Sequence, residues 1–155
     1  MMDDRDGRGD GARPSRGIRL IVDGMNVIGS RPDRWWNDPD RAVRRLIDEL
    51  DRYASASGDE VTVVFDRRPP DLRAGMHGAV DVVFASRHGR NAADDEIVMM
   101  LADRADRDDR AAGEDPGPPR VVTSDRRLVE RVRELGAPVA STSLFRRRLD
   151  GAAGD

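Results

Sequence analysis

Carboxylates recur where the apolar runs of this chain stop. Asp23 follows Ile18–Val22, Asp66 follows Val61–Phe65, Asp94 and Asp95 open the helix after Ala79–Ala85, and Asp125 opens the helix after Val121–Thr123. Each has an ordinary explanation when taken singly. An acid at a helix start gains ~0.3–1 kcal/mol from the helix dipole, and Asp66 could simply close a strand. Brought together they are costly, because two carboxylates ~5 Å apart repel by roughly 3 kcal/mol at an effective dielectric near 20. A cation relieves that repulsion, and donors that are all oxygen favour Mg²⁺ or Mn²⁺. A cation so held lowers the pKa of a bound water and neutralises charge on a phosphodiester, so the chemistry implied is hydrolysis of a phosphate ester.

Composition removes most other chemistries. The 155 residues contain no cysteine, which excludes disulfides, thiolate-bound zinc, iron–sulfur clusters and thiol catalysis. All 27 basic residues are arginine, so a P-loop, a protein kinase and a Schiff-base enzyme each lack their lysine. His77 and His88 stand isolated, too few for a histidine-rich metal site. No run approaches the ~20 apolar residues of a membrane span, and the N-terminus has no apolar core of a secretory signal, so the expected location is the cytoplasm, away from any membrane. Net charge is −3, which neither demands nor forbids an arginine-lined groove for nucleic acid. With 24 Asp against 6 Glu, single Asp or Arg residues carry little information, and only their placement does.

The elements that must place them can be read in order. Residues 1–17 have too little apolar content to order and are expected to be a disordered tail ahead of one domain over 18–149, with 150–155 a flexible C-terminal tail. Ile18–Val22 reads as a buried strand. Asp38 and Pro39 suit the cap and first position of a helix whose apolar face is Val43, Leu46, Ile47, Leu50 and Tyr53, stopped by Gly58. Val61–Phe65 is a second strand, Arg67–Gly78 a loop, and Ala79–Ala85 a third strand. A helix starts near Ala93 and carries Ile97, Val98 and Leu101; Arg107–Pro119 reads as a mobile surface loop. Val121–Thr123 is a fourth strand, Leu128, Val129 and Val132 mark a helix closed by Gly136, and Pro138–Ala140 is a fifth strand before a last helical turn over Leu144–Leu149. This alternation predicts a three-layer α/β/α fold with a mostly parallel sheet of about five strands. Right-handed crossovers put the carboxylate-bearing strand ends on one edge, where such folds bind ligands.

Four segments then carry a resemblance. Val22–Gly29 (VDGMNVIG), Val64-Phe65-Asp66, Ala93–Ile97 (ADDEI) and Val122–Asp125 (VTSD) resemble, in order and spacing, the NYN domains of the PIN-like nuclease superfamily, and within them the bacterial YacP-like group. The resemblance covers roughly residues 18–145. It implies metal-dependent ribonuclease activity on RNA, with the metal on Asp23, Asp94 and Asp125 and with Asn26 and Asp95 in support, Asp95 counted as a further candidate ligand. Asn26 could orient a ligand or meet a substrate phosphate, and equally could serve an awkward turn. Ser124 could face the substrate or cap the following helix. Arg67 and Arg68 leave the acidic edge on a loop and suit phosphate. Trp35 and Trp36 could stack on unpaired bases, or one could pack on the sheet or helix. Arg146–Arg148 could touch RNA or the ribosome, or be a solvated helix end. The alternative to an enzyme is a catalytically silent RNA-binding module on the same fold. A haloacid-dehalogenase-type phosphatase fits less well, since Met25 stands where its second Asp belongs.

Overall fold

The computed structural model describes residues 17–86, 89, 91–110 and 118–154. The expected tail, apart from Gly17, and most of the expected loop over 107–119 lie outside the described residues, as do Arg87, His88 and Arg90. Strand β1 (Arg19–Asp23) runs straight into a short helix α1 (Gly24–Gly29). After a single 3₁₀ turn over Trp35–Asn37 come helix α2 (Pro39–Ser57) and strand β2 (Glu60–Phe65). A three-residue strand β3 (Gly75–His77) precedes β4 (Val80–Phe84). Helix α3 (Ala92–Arg110), β5 (Arg120–Val122), α4 (Arg126–Glu134), β6 (Val139–Ala140) and α5 (Thr142–Gly154) complete the chain.

The local rules that shape α2 are visible at its ends. Asp38 accepts a hydrogen bond from the Arg41 N–H at 3.2 Å, Pro39 occupies the first turn, and Gly58 takes φ 78° to end the helix. The sheet order is β3-β4-β2-β1-β5-β6, with every pairing parallel except β3 against β4. Side chains alternate across it. Leu20, Val22, Val61, Val63, Phe65, Val80 and Val82 face a core shared with α2 and α5. Ile21, Val64 and Val121 face a second core with Ile97 and Leu101 of α3 and Leu128 and Val132 of α4. Two cores on opposite faces of one sheet make a three-layer α/β/α fold.

The order also fixes where a ligand belongs. The chain moves outward from β1 through β2 to β4, then returns to place β5 on the other side of β1. Strand order therefore reverses between β1 and β5, and the crevice beyond their C-terminal ends is the switch point at which such sheets bind ligands.

Three expectations needed correction. The loop expected over Arg67–Gly78 contains β3, which makes the sheet six-stranded with one antiparallel edge. Helix α3 continues to Arg110, past the start expected for the surface loop at Arg107. Residues 150–154, expected as a flexible tail, continue α5, which begins at Thr142 and far exceeds the single turn read over 144–149.

Candidate active site

The site begins with a glycine whose role is spatial. Gly24 is the first residue of α1 and has no positive φ. A Cβ there would come within 2.4 and 2.5 Å of the Phe65 ring. Only glycine lets α1 start directly beneath β2, and that close approach carries Asp23 to the very end of β1. Asp23 keeps the parity of Ile21, so its carboxyl points toward the face covered by α3 and α4.

Asp23 is 5% exposed. Its Oδ2 accepts a hydrogen bond of 2.9 Å from Thr123 Oγ1, just past β5 across the switch point. Burial pushes the Asp23 carboxyl up to about 7; the Thr123 hydrogen bond opposes this, while the charges of Asp94, Asp125 and Asp66 add to it. Asp94, 8% exposed at the start of α3, is raised to about 6, first by burial and then by Asp125, with Arg131 pulling the other way. Asp66 is likewise raised by desolvation although the residue as a whole is exposed. Strand β1, the segment after β5 and the start of α3 thus bring Asp23, Asp94 and Asp125 into one electrostatic cluster. Among the described residues neither Asp23 nor Asp94 forms an ion pair with a basic group.

The supporting residues have more definite tasks than their types suggested. Asp125 caps α4, its Oδ1 accepting from the N–H groups of Arg127 (2.9 Å) and Leu128 (3.1 Å). Capping therefore belongs to Asp125, not Ser124. Asn26 Oδ1 accepts from the Ser124 N–H at 2.8 Å and ties α1 to the segment after β5. Ser124 Oγ and Thr142 Oγ1 lie 2.8 Å apart, and Ser124 Oγ also accepts from the Thr142 N–H, which docks α5. Asp95 is held by Arg131 Nη1 at 2.9 Å, clamping α3 to α4. Arg67 Nε donates to Asp40 at 2.7 Å, and Arg68 Nε donates to the Leu72 carbonyl with its guanidinium over the Phe84 ring. Sequence reasoning missed Arg131 and Thr142. One arginine among 27 carries no signal, and Thr142 acts only through a tertiary contact.

Can this donor set hold a cation? No group of three or more Asp, Glu or His side chains among the described residues converges tightly enough to enclose one. The chemistry of the donors still fits. Mg²⁺ keeps several waters and needs only one or two direct carboxylates, and Asp23 and Asp94 are buried acids that ionise reluctantly without a positive neighbour. Of the acids, Asp66 alone lines a cavity of about 910 Å³, together with Met25, Trp35, Arg67, Arg68 and Phe84. Among the described residues no helix is long and apolar enough to cross a membrane.

Known proteins share this fold. A mutant of Rae1 (YacP) from Bacillus subtilis is similar at 26% identity, with a TM-score of 0.65 over 88% of this chain and 77% of that one. Another structure of the same Bacillus subtilis protein, at 24% identity and a TM-score of 0.67 over 86% of this chain and 74% of that one, shares the fold. No curated protein matches. The profile of the YacP-like NYN domain matches residues 20–154. That span is most of the chain, and the chain belongs to the YacP-like NYN domain family, a family of nuclease-like domains.

Proposed function

We propose that this protein is a divalent-metal-dependent ribonuclease that hydrolyses RNA phosphodiester bonds. The observation that carries the reading is a buried Asp23 at the sheet's switch point, raised to about 7 and loaded with the charges of Asp94, Asp125 and Asp66. Asp23, Asp94 and Asp125 would hold Mg²⁺ or Mn²⁺, which when bound lowers the pKa of a water and offsets phosphate charge.

The chain's own residues do the positioning. Thr123 fixes one Asp23 oxygen and leaves the other free to ligate. Asp125 commits Oδ1 to the helix cap, so Oδ2 remains for the site. Asn26 acts by holding the Ser124 backbone, and Ser124 by docking α5, so both are positioning residues rather than phosphate ligands. Asp95, neutralised by Arg131, orients the start of α3. Arg67 and Arg68 line the cavity that Asp66 also lines, where a phosphate would displace Arg67 from its pair with Asp40.

The silent RNA-binding module draws support from the absence of three converging donors among the described residues. Cleavage of structured and unstructured RNAs in Mn²⁺ or Mg²⁺ decides between them. The enzyme reading expects turnover in the wild type and a loss of orders of magnitude in Asp23→Asn and Asp94→Asn. A fully active Asp94→Asn protein would remove Asp94 from the chemistry.

A further inference from the structure

A second cavity, of about 510 Å³, lies between α1, the 3₁₀ turn and α2, and the acids described above take no part in it. Its size falls in the range of small-ligand sites, about 300–1,000 Å³. Its charge is unusual for a protein with net charge −3: four arginines line it, Arg31, Arg34, Arg41 and Arg45, against three acids. The acids are largely spent. Glu49 is buried and gripped by Arg31 Nη2, at 2.8 Å to each carboxylate oxygen, Asp33 pairs with Arg45 at 3.5 Å, and Asp38 caps α2. Arg34 and Arg41 make no ion pair among the described residues. Two exposed guanidinium groups are thus left to face an anion.

The backbone beneath them is held under strain. Arg34, at φ 57° and ψ 38°, is the sole non-glycine residue with positive φ among the described residues. Arginine gains nothing locally from that conformation, for which glycine is the default. It starts the 3₁₀ turn, with the Asn37 N–H donating to the Arg34 carbonyl at 3.0 Å. That turn presents Trp35, half-buried against the core and braced edge-on by Trp36 at 6.1 Å between ring centroids. Trp35 lines both this cavity and the one that holds Asp66, Arg67 and Arg68. The two are therefore joined across a single indole.

From this geometry we infer that the arginine-lined cavity between α1 and α2 is a subsite for one unpaired nucleotide of the RNA, lying beyond the cleavage site. Its base stacks on Trp35 and its phosphate is held by Arg34 and Arg41. Stacking on an aromatic face tolerates any base, and guanidinium groups track the backbone, so the subsite selects single-stranded over paired RNA without reading sequence. The inference deepens the ribonuclease reading and rests on it for its substrate class.

The test is binding of a labelled unstructured RNA oligonucleotide to the full chain in EDTA, followed by fluorescence anisotropy across a salt series. Arg34→Gly removes the charge and relieves the backbone, so its melting temperature should hold or rise while affinity falls and the salt slope becomes shallower by about 0.7. Arg41→Ala should do the same to affinity and slope. Trp35→Ala should weaken binding roughly 5- to 150-fold, and Trp35→Phe should restore most of it, which a role in folding alone would not require. Arg44→Ala, exposed on α2 and outside the cavity, is the control and should bind like the wild type. Wild-type affinity in Arg34→Gly, Arg41→Ala and Trp35→Ala overturns the subsite while leaving the ribonuclease reading standing. A wild type that binds no RNA in EDTA overturns the subsite, and one that also cleaves none in Mn²⁺ overturns both. RNA bound through these residues but never cleaved in Mn²⁺ leaves the subsite standing and removes the enzyme.

Discussion

Replacing Asp23 by asparagine should stabilise the metal-free protein, and the gain should depend on pH in a definite direction. Asp23 titrates near 7 in the folded chain and near 3.8 when exposed. Between those values the folded state holds a proton that the unfolded state has released, so stability falls as pH rises. The penalty is absent below about pH 4, grows through the window and is complete above about pH 7. At 1.36 kcal/mol for each decade of pH between the two values, it reaches the order of 4 kcal/mol. Asp94, raised to about 6, adds a penalty of the same sign that saturates earlier. The amide introduced by Asp23→Asn would keep an oxygen able to accept from Thr123 and carry no charge to desolvate.

In a chain of this length ~1 kcal/mol moves the melting temperature by about 2–4 °C. Thermal melts of wild type and Asp23→Asn in EDTA should therefore nearly coincide at about pH 4 and separate by roughly 8–16 °C at about pH 8, the variant melting higher. Equal separation at the two pH values would refute the reasoning, since a packing effect does not titrate. A variant that melts lower than wild type at the higher pH would refute it outright, because Asp23 would then be stabilising as an anion. The order should invert when Mn²⁺ is added, because only the wild type retains the full ligand set.

Further outcomes follow from single contacts. Addition of Mn²⁺ or Mg²⁺ at 100 times Kd should raise wild-type stability by ~2.7 kcal/mol, with no matching rise in NaCl of equal ionic strength; absence of a metal-specific shift in scanning calorimetry would count against the site. Gly24→Ala forces a Cβ into the Phe65 ring and should cost about 1–3 kcal/mol, read as a lower urea midpoint. Asp125→Ala loses a helix cap and should destabilise by ~0.5–2 kcal/mol, whereas Asp125→Asn should keep the cap and lose cleavage, so a stable but inactive amide variant separates the two roles of that side chain.

The residues that could be read from the sequence are those whose role depends on period and position. Val61, Val63 and Phe65 reach one core and Val64 the other because a strand alternates faces. Val43, Leu46, Ile47, Leu50 and Tyr53 fall on one stripe because a helix turns every 3.6 residues. Strand β3 was missed because it has no such signal. Met76 is exposed, and the strand exists only through pairing with β4 across the Gly78 turn. Helix α1 was missed because six residues are too few to show a helical period, and Asp23-Gly24 reads as a turn.

The same division runs through the site. That Asp23, Asp94 and Asp125 lie near one another was legible because topology brings a strand end and two helix starts to one switch point. The tasks of Asn26, Ser124, Asp95, Arg67 and Arg68 were not, because each is set by a partner that periodicity and position do not reveal. The Asn26–Ser124 bond spans 98 positions and the Thr123–Asp23 bond spans 100. Those bonds also explain why the acids can sit together at all. The repulsion among Asp23, Asp94 and Asp125 would push α3 and α4 away from β1, and no basic group pairs with Asp23 or Asp94 among the described residues to prevent it. What opposes it is a ring of neutral ties and one clamp: Thr123 to Asp23, Asn26 to Ser124, Ser124 to Thr142, and Arg131 to Asp95 one residue from Asp94. The clamp holds α3 against α4 and its Arg131 offsets only part of the charge at Asp94; on the proposed reading, the remaining charge of the cluster is what a cation would balance.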